Sequence, residues 1–162
     1  MPVEYRKYPV LYVDDERENL VTFGYCFGAK FTILTAQNGE DAIRILEQQP
    51  VAVLLTDQRM PGMTGSDLCA RALVMRPDTT RMVVTAYADL NATTDAINRG
   101  QVSRYIMKPW QEDDLAATIR TAIEFYELGL LIRQMESRML GAERAATVSL
   151  ILRQLAHELR NP

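Results

Sequence analysis

The chain has 162 residues, of which 48% are hydrophobic and 24% charged, a balance that suits one compact domain with a smaller element beside it. Its 18 Lys and Arg against 21 Asp and Glu give a formal net charge of −3, so we expect neither a nucleic-acid nor a membrane partner. Candidates for chemistry that needs an imidazole or an ammonium group are few, since the chain holds one histidine, His157, and only the lysines Lys7, Lys30 and Lys108.

Short apolar runs alternate with longer amphipathic stretches over the first two thirds of the chain. The apolar runs, rich in Val, Ile, Leu and Tyr, predict buried strands at residues 8–13, 31–35, 51–56, 81–85 and 103–107. The stretches between them predict helices at residues 19–29, 39–49, 66–75 and 90–99. This alternation predicts the α/β class, as a (βα)5 doubly wound parallel sheet in strand order 2-1-3-4-5 that binds ligands beyond the carboxyl ends of its strands.

The pattern changes after Trp110, because residues 112–160 contain no proline and only two glycines. One long C-terminal helix, or two in tandem, is the simplest prediction, and a single helix would be roughly 70 Å long. Apolar residues spaced alternately by four and three residues form a coiled-coil seam at Leu128, Ile132, Met135, Met139, Ala142 and Ala146. A second seam, one residue out of phase, consists of Val148, Leu152, Leu155 and Leu159.

A single helix cannot bury such a seam, so we predict a parallel homodimer in which this helix forms a dimeric coiled coil. The alternative is a helix that folds back on its own N-terminal domain. The predicted domains are a globular domain at residues 1–125, a coiled-coil linker helix at 126–147 and a further helical segment at 148–162.

Three acidic residues follow predicted strands at one edge of the sheet. Asp14 and Asp15 come directly after the first strand and Asp57 directly after the third, so the three carboxylates should converge where the strand order reverses. Clustered acids repel one another unless a cation lies among them, and carboxylate oxygens with open water positions favour Mg²⁺. Each aspartate taken alone could also be an ordinary turn residue.

The next two strands end in groups that complement these acids. The fourth strand ends in Thr85, a hydroxyl donor, and the fifth runs into Lys108. A metal, an ammonium and a hydroxyl around a carboxylate form a binding site for a small dianion. The pattern therefore predicts phosphoryl transfer to Asp57, with Mg²⁺ and Lys108 neutralising the charge on the phosphoryl oxygens.

Four segments resemble the receiver domain of two-component response regulators, in order and at matching spacing over about residues 6–125: VLYVDDE (10–16), LLTDQRMPGMTG (54–65), VVTAY (83–87) and YIMKPW (105–110). The resemblance implies a CheY-like fold with Asp57 as the phosphoacceptor. It also implies that Asp15 and Asp57 ligate Mg²⁺, that Asp14 assists through water and that Arg59 adds its backbone carbonyl.

The same resemblance implies that Thr85 and Tyr105 are a switch pair, which moves on phosphorylation and alters the face formed by the predicted helix at 90–99, the fifth strand and the helix that follows. It further implies a cis Lys108-Pro109 peptide bond. The implied partner is a phosphodonor histidine kinase or a phosphotransfer protein. Taken alone, Tyr105 would more often be a packed strand residue, and packing is also favoured over partner contact for Trp110.

The segment LAHELRNP (155–162) resembles the H-box of sensor histidine kinases, in which a helical histidine is phosphorylated. With Leu155 and Leu159 on the seam, His157 falls on the outward face of the helix. The resemblance implies that His157 is a phosphoacceptor with Glu158 as the adjacent acid or base, whereas a lone histidine is ordinarily just a surface or core residue. Since the chain contains no ATP-binding domain, we expect it to be the N-terminal fragment of a histidine kinase, with residues 148–162 as the truncated dimerisation and phosphoacceptor helix of that kinase.

Two functions remain open. In the first, the receiver regulates an attached histidine kinase through the coiled-coil linker. In the second, the chain is a stand-alone response regulator whose helical tail only dimerises or binds an output partner. An aspartyl-phosphate enzyme of the haloacid dehalogenase type is disfavoured, because the residue two positions after Asp57 is Arg59 rather than an acid. The isolated Cys26 and Cys69 argue against disulfides and against a structural zinc site. The sequence also shows no signal peptide and no apolar run of membrane-spanning length. Together these features predict a cytoplasmic protein.

Overall fold

The structure is a computed structural model that describes residues 2–86 and 102–160, with side chains of the C-terminal helix described as far as Leu155. Its described residues contain a five-stranded parallel sheet in the order β2-β1-β3-β4-β5, which confirms the predicted topology. The strands are β1 (Val10–Val13), β2 (Ile33–Ala36), β3 (Val53–Asp57), β4 (Thr80–Thr85) and β5 (Arg104–Met107).

Four α-helices are described, α1 (Arg17–Phe27), α2 (Gly39–Gln48), α3 (Gly65–Met75) and α4 (Glu112–Arg160), after a short 3-10 helix at Tyr5–Lys7. The described elements confirm the predicted ones, and their ends differ from the predicted ends by at most two residues. For example, the second predicted strand included Phe31, which lies in the turn before β2 with its side chain buried in the core. The helix predicted at 90–99 lies outside the described residues.

The sheet carries apolar clusters on both faces, because successive residues of a strand point to opposite sides. Val10 and Tyr12 face a cluster that includes Phe23 of α1 and Ile119 of α4. Leu11 and Val13 face the other cluster, formed with helices α2 and α3. The sheet is therefore buried on both sides, as its uninterrupted apolar strands predict.

Trp110 follows β5 and packs against the first of these clusters. Its ring centroid lies 5.3 Å from that of Phe27 and 6.1 Å from that of Phe23. The prediction that Trp110 is mainly a packing residue is confirmed. The Lys108-Pro109 peptide bond directly before it is cis, as the receiver resemblance implies.

Helix α4 is continuous over 49 residues, which decides between the one-helix and two-helix predictions. The chain divides into two compact units, Met1–Tyr126 and Glu127–Pro162. In the second unit the side chains of the predicted seams are exposed as far as they are described, for example 69% for Met139 and 60% for Leu152. No helix in the described ranges is long and apolar enough to span a membrane.

Candidate functional site

Two of the predicted carboxylates meet the predicted lysine at the carboxyl edge of the sheet. Asp14 directly follows β1, Asp57 is the last residue of β3, and Lys108 directly follows β5. The Lys108 ammonium lies 2.8 Å from Oδ1 of Asp57 and 3.3 Å from Oδ2 of Asp14. The backbone N–H of Lys108 donates to the Thr85 carbonyl, so the end of β4 helps to hold the lysine in place.

Asp14 is almost fully buried, and its carboxylate accepts several hydrogen bonds within the protein. Oδ1 accepts the backbone N–H of Glu16 at 2.9 Å. Oδ2 accepts the Tyr12 hydroxyl at 2.9 Å and the Asn19 side-chain amide at 3.0 Å, besides the ammonium of Lys108. A charged group buried in this way is stabilised by hydrogen bonds and by its ion pair.

Tyr12 and Asn19 are site residues that the sequence analysis missed. Tyr12 lies two residues before Asp14, so a strand period of two places both side chains on the same face of the sheet and could have indicated the contact. Asn19 lies in the first turns of α1, five residues after Asp14, and no comparable spacing rule indicates it. Both residues also line a cavity of about 420 Å³ together with Thr22, Lys108, Pro109 and Trp110.

Asp57 is the more exposed of the two carboxylates that pair with Lys108, with 13% of its side chain accessible to solvent against 1% for Asp14. Its Oδ2 accepts the backbone N–H of Arg59 at 3.1 Å, and its Oδ1 faces Lys108. Burial raises the pKa of Asp57, Lys108 opposes that increase, and the charges of Asp14 and Asp15 add to it. The charge of Asp15, the third predicted carboxylate, therefore also contributes to the raised pKa of Asp57.

Lys108 stays protonated in this environment. Burial favours the neutral amine, but the hydrogen bond and charge of Asp57 outweigh it, and Asp14 adds to their effect, so the pKa of Lys108 lies above its usual value. The site therefore presents a paired ammonium beside the partly exposed carboxylate of Asp57.

The predicted switch residues occupy the neighbouring strands. Thr85 ends β4, is buried, and donates a hydrogen bond from its hydroxyl to the carbonyl of Ala86 at 3.3 Å. Tyr105 lies in β5, is half-buried, and packs against the apolar cluster on the α2 and α3 side of the sheet. His157 belongs to α4, and its side chain lies outside the described residues.

The loop after Asp57 requires a glycine at position 65. A Cβ at Gly65 would collide with the backbone carbonyl oxygen of Asp57, and the Gly65 N–H donates to the carbonyl of Gln58 at 3.1 Å. The preceding residue, Thr64, caps α3 in a reciprocal arrangement with Asp67. Close packing of the α3 N-terminus thus fixes the backbone that carries Asp57.

We expect Gly65→Ala to destabilise the protein by about 1–3 kcal/mol, because the loop must move to admit the methyl group. The control is Gly24→Ala in α1, where an added Cβ meets no atom within 4 Å and alanine favours the helix. Urea unfolding of both variants measures the difference. Equal stability of the two variants would show that the close approach at Gly65 is unimportant.

The raised pKa of Asp57 also predicts how stability depends on pH. Because folding raises this pKa, the folded state binds the proton more tightly than the unfolded state does. The protonated Asp57 therefore contributes to the free energy of unfolding below the ordinary Asp pKa. This contribution is lost as the pH rises through the folded-state pKa. We therefore expect Asp57→Asn to raise the melting temperature of the metal-free protein at pH 7. Thermal unfolding between acidic and neutral pH measures this, and a variant that melts below the wild type at pH 7 would contradict it.

The chemistry of the three carboxylates fits a hard divalent cation. Their mutual repulsion, visible in the pKa of Asp57, is the kind of strain that bound Mg²⁺ relieves. Within the described parts of the chain, however, no three His, Cys, Asp or Glu side chains form a group that could hold a metal as they stand.

The parallel sheet, its strand order and the Asp–Lys–Asp cluster at its carboxyl edge define a receiver-type α/β domain. Residues 10–120 match the family described as response regulator receiver domain, and the chain belongs to this family. It is thus a receiver domain of two-component signalling.

Two relatives illustrate the family. The hydrogenase transcriptional regulatory protein HoxA of Cupriavidus necator is 36% identical over 115 residues, which cover 71% of this chain and 24% of HoxA. The DNA-binding transcriptional regulator NtrC of Escherichia coli K12 is 34% identical over 100 residues, which cover 62% of this chain and 21% of NtrC. The chain thus spans about a quarter of the length of the curated relatives it matches.

Solved structures show the same fold. The adenylate cyclase from Rhodopirellula baltica matches with a TM-score of 0.74 at 30% identity, over 78% of this chain and 95% of that one. The signal receiver domain of an HD domain-containing protein from Pseudomonas fluorescens Pf-5 matches with a TM-score of 0.73 at 28% identity, over 80% of this chain and 95% of that one.

Proposed function

We propose that Asp57 accepts the phosphoryl group in a two-component relay. The observation that carries this proposal is the position of the Lys108 ammonium, 2.8 Å from Asp57 and also paired with the buried Asp14. A carboxylate nucleophile with a fixed cation beside it is arranged to accept a group that brings additional negative charge.

In the proposed reaction, a carboxylate oxygen of Asp57 attacks phosphorus and forms an acyl phosphate. The bond between phosphorus and the donor breaks at the same time, and its electron pair leaves with the donor's imidazole nitrogen or carboxylate oxygen. Lys108 stabilises the charge on the phosphoryl oxygens. The donor is a phosphohistidine of a histidine kinase or phosphotransfer protein, or a small acyl phosphate.

The residues that would hold Mg²⁺ are the carboxylates of Asp15 and Asp57, the backbone carbonyl of Arg59, and Asp14 through water. When bound there, the ion would supply further neutralisation of charge on the transferring group. The chemistry of the donor set supports this assignment, since three acidic side chains and one lysine share one edge of the sheet.

Thr85 and Tyr105 are the proposed switch. The Thr85 hydroxyl would exchange its bond to the Ala86 carbonyl for one to a phosphoryl oxygen, and Tyr105 would turn toward the space this movement opens. The half-buried position of Tyr105 in the edge strand β5 supports the assignment, because an inward turn of its ring would change the surface of that strand.

We further propose that a second copy of the chain covers the exposed seam of α4. Charged residues flank this seam in a pattern that favours a parallel pair. Ile132 and Met139 are one heptad apart, so they take equivalent positions in the repeat. Arg138 lies directly before the seam residue Met139, and Glu143 lies directly after the seam residue Ala142. In a parallel two-stranded coiled coil, residues at these two flanking positions face each other across the chains, so Arg138 would oppose Glu143 of the second copy.

The output of the receiver has two candidates. The H-box resemblance around His157 favours an attached histidine kinase that the receiver regulates through the proposed linker at 126–147 and the kinase helix that begins at 148. The relatives HoxA and NtrC are named as transcriptional regulators, and this favours a response regulator whose helical tail dimerises or binds an output partner. Reading the coding sequence past the codon for Pro162 separates them, because only the first predicts an ATP-binding kinase domain.

The central proposal is tested by incubating the chain with Mg²⁺ and a small acyl phosphate and measuring its mass. We expect the wild type to gain one phosphoryl group and Asp57→Ala to gain none. Equal uptake by both proteins would refute the assignment of Asp57.

A further inference from the structure

Tyr12 reaches the site from inside the core. Its side chain is 1% exposed, and its ring stacks on Phe23 with 4.1 Å between the ring centroids and 14° between the ring planes. Such packing restricts the ring to one position. The hydroxyl at the end of this fixed ring donates a 2.9 Å hydrogen bond to Oδ2 of Asp14.

Three donors share this one oxygen. The Tyr12 hydroxyl and the Asn19 amide lie at 2.9 Å and 3.0 Å, whereas the ammonium of Lys108 lies at 3.3 Å. A carboxylate oxygen has two lone pairs, so the two nearer, neutral donors occupy its acceptor capacity and leave the ammonium the longest contact. Lys108 correspondingly lies closer to Asp57, at 2.8 Å.

We propose that Tyr12 is a positioning residue that directs Lys108 toward Asp57. By occupying Oδ2 of Asp14, its hydroxyl prevents the buried Asp14 from drawing the ammonium fully to itself. The ammonium stays where charge develops on a group transferred to Asp57. This inference rests on the proposed function, in which Lys108 neutralises the phosphoryl oxygens.

The test is Tyr12→Phe in the full chain, which removes the hydroxyl and keeps the stacked ring. We expect the maximal rate of phosphate uptake from acetyl phosphate at saturating Mg²⁺ to fall about fivefold, because Lys108 moves away from the reacting group. The Mg²⁺ concentration that gives half the maximal rate should stay unchanged. Asn19→Ala removes the other neutral donor and should act in the same direction.

Tyr5→Phe is the matched control, because it removes a tyrosine hydroxyl that donates to the carboxylate of Glu124 at 2.6 Å, away from the site. Its rate of uptake should equal that of the wild type. An unchanged maximal rate in Tyr12→Phe would overturn the inference, and so would a change confined to the half-saturating Mg²⁺ concentration, since Tyr12 would then act on the metal rather than on the lysine.

A second measurement needs neither metal nor phosphodonor. The chain has only three lysines, so the side-chain Nζ signals in a ¹⁵N NMR spectrum can be assigned with a Lys108→Met variant. We expect Tyr12→Phe to shift the Lys108 signal and Tyr5→Phe to leave it in place. An unmoved Lys108 signal in Tyr12→Phe overturns the inference.

The two measurements also separate this inference from the proposed function. If the wild type takes up no phosphate on Asp57 but the Lys108 signal moves in Tyr12→Phe, the proposed function fails and the positioning by Tyr12 stands. If the wild type is phosphorylated on Asp57 and Tyr12→Phe reacts equally fast, the positioning role fails alone.

Discussion

Phosphate uptake from a small acyl phosphate should disappear completely in Asp57→Ala. Asp57 supplies the attacking oxygen in the proposed reaction, and alanine offers no atom to which the phosphoryl group can be transferred. Intact-protein mass spectrometry after incubation with Mg²⁺ measures the result directly. Asp113→Ala is a suitable control, because Asp113 is an exposed aspartate in the first turn of α4 and its replacement should leave uptake unchanged.

The proposed second phosphoacceptor, His157, can be distinguished in the same experiment. Phosphohistidine is labile to acid, whereas an acyl phosphate is labile to base, so treatment before mass analysis identifies the residue type. We expect no phosphate on Asp57→Ala under these conditions, and any that remained there but disappeared when His157→Gln was added would place the modification on the tail. Uptake by both variants at the wild-type level would contradict both assignments.

The sequence predicted the sheet and the meeting of Asp14, Asp57 and Lys108 for a physical reason. Uninterrupted apolar strands indicate burial on both faces, and parallel strands bring the residues at their carboxyl ends to one edge. The positions of these residues in the chain therefore determine their positions in space to within the length of a side chain. Lysine spans the remaining distance across β4.

Contacts set by side-chain conformation could not be predicted in this way. Periodicity places Tyr12 on the same face as Asp14, but it does not determine whether the hydroxyl reaches the carboxylate or points elsewhere. That outcome depends on the stacking of Tyr12 against Phe23, which involves a different element. Thr85 gives a similar example, because its place at the end of β4 is predicted and its hydrogen bond to the Ala86 carbonyl is not.

The seam of α4 differs from both cases, because the sequence indicates an apolar surface and the proposed partner of that surface is a separate molecule. Its side chains are exposed in the single chain as far as they are described. The alternating spacing and the flanking charges support a second copy as the partner, and the experiment that decides is a measurement of association.

Met139→Glu in the full chain should convert the proposed dimer into a monomer. In the coiled coil this position would be buried against the second copy, and each dimer would enclose two glutamates without partners, which should weaken association by more than about a hundredfold. The neighbouring Leu140→Glu introduces the same charge one residue off the seam, at a side chain that is also largely exposed, and should leave association intact. Sedimentation equilibrium measures both dissociation constants, and a wild type that is monomeric at high concentration would refute the dimer.

Charge reversal at the seam flanks then tests whether the two helices run parallel. In a parallel pair, Arg138→Glu replaces an attraction to Glu143 of the second copy by repulsion on both sides of the coil, which should weaken the dimer about fivefold at low salt. The double variant Arg138→Glu with Glu143→Arg restores opposite charges across the chains and should recover wild-type affinity. An antiparallel pair does not bring these two positions together, so failure of the double variant to recover would contradict the parallel arrangement.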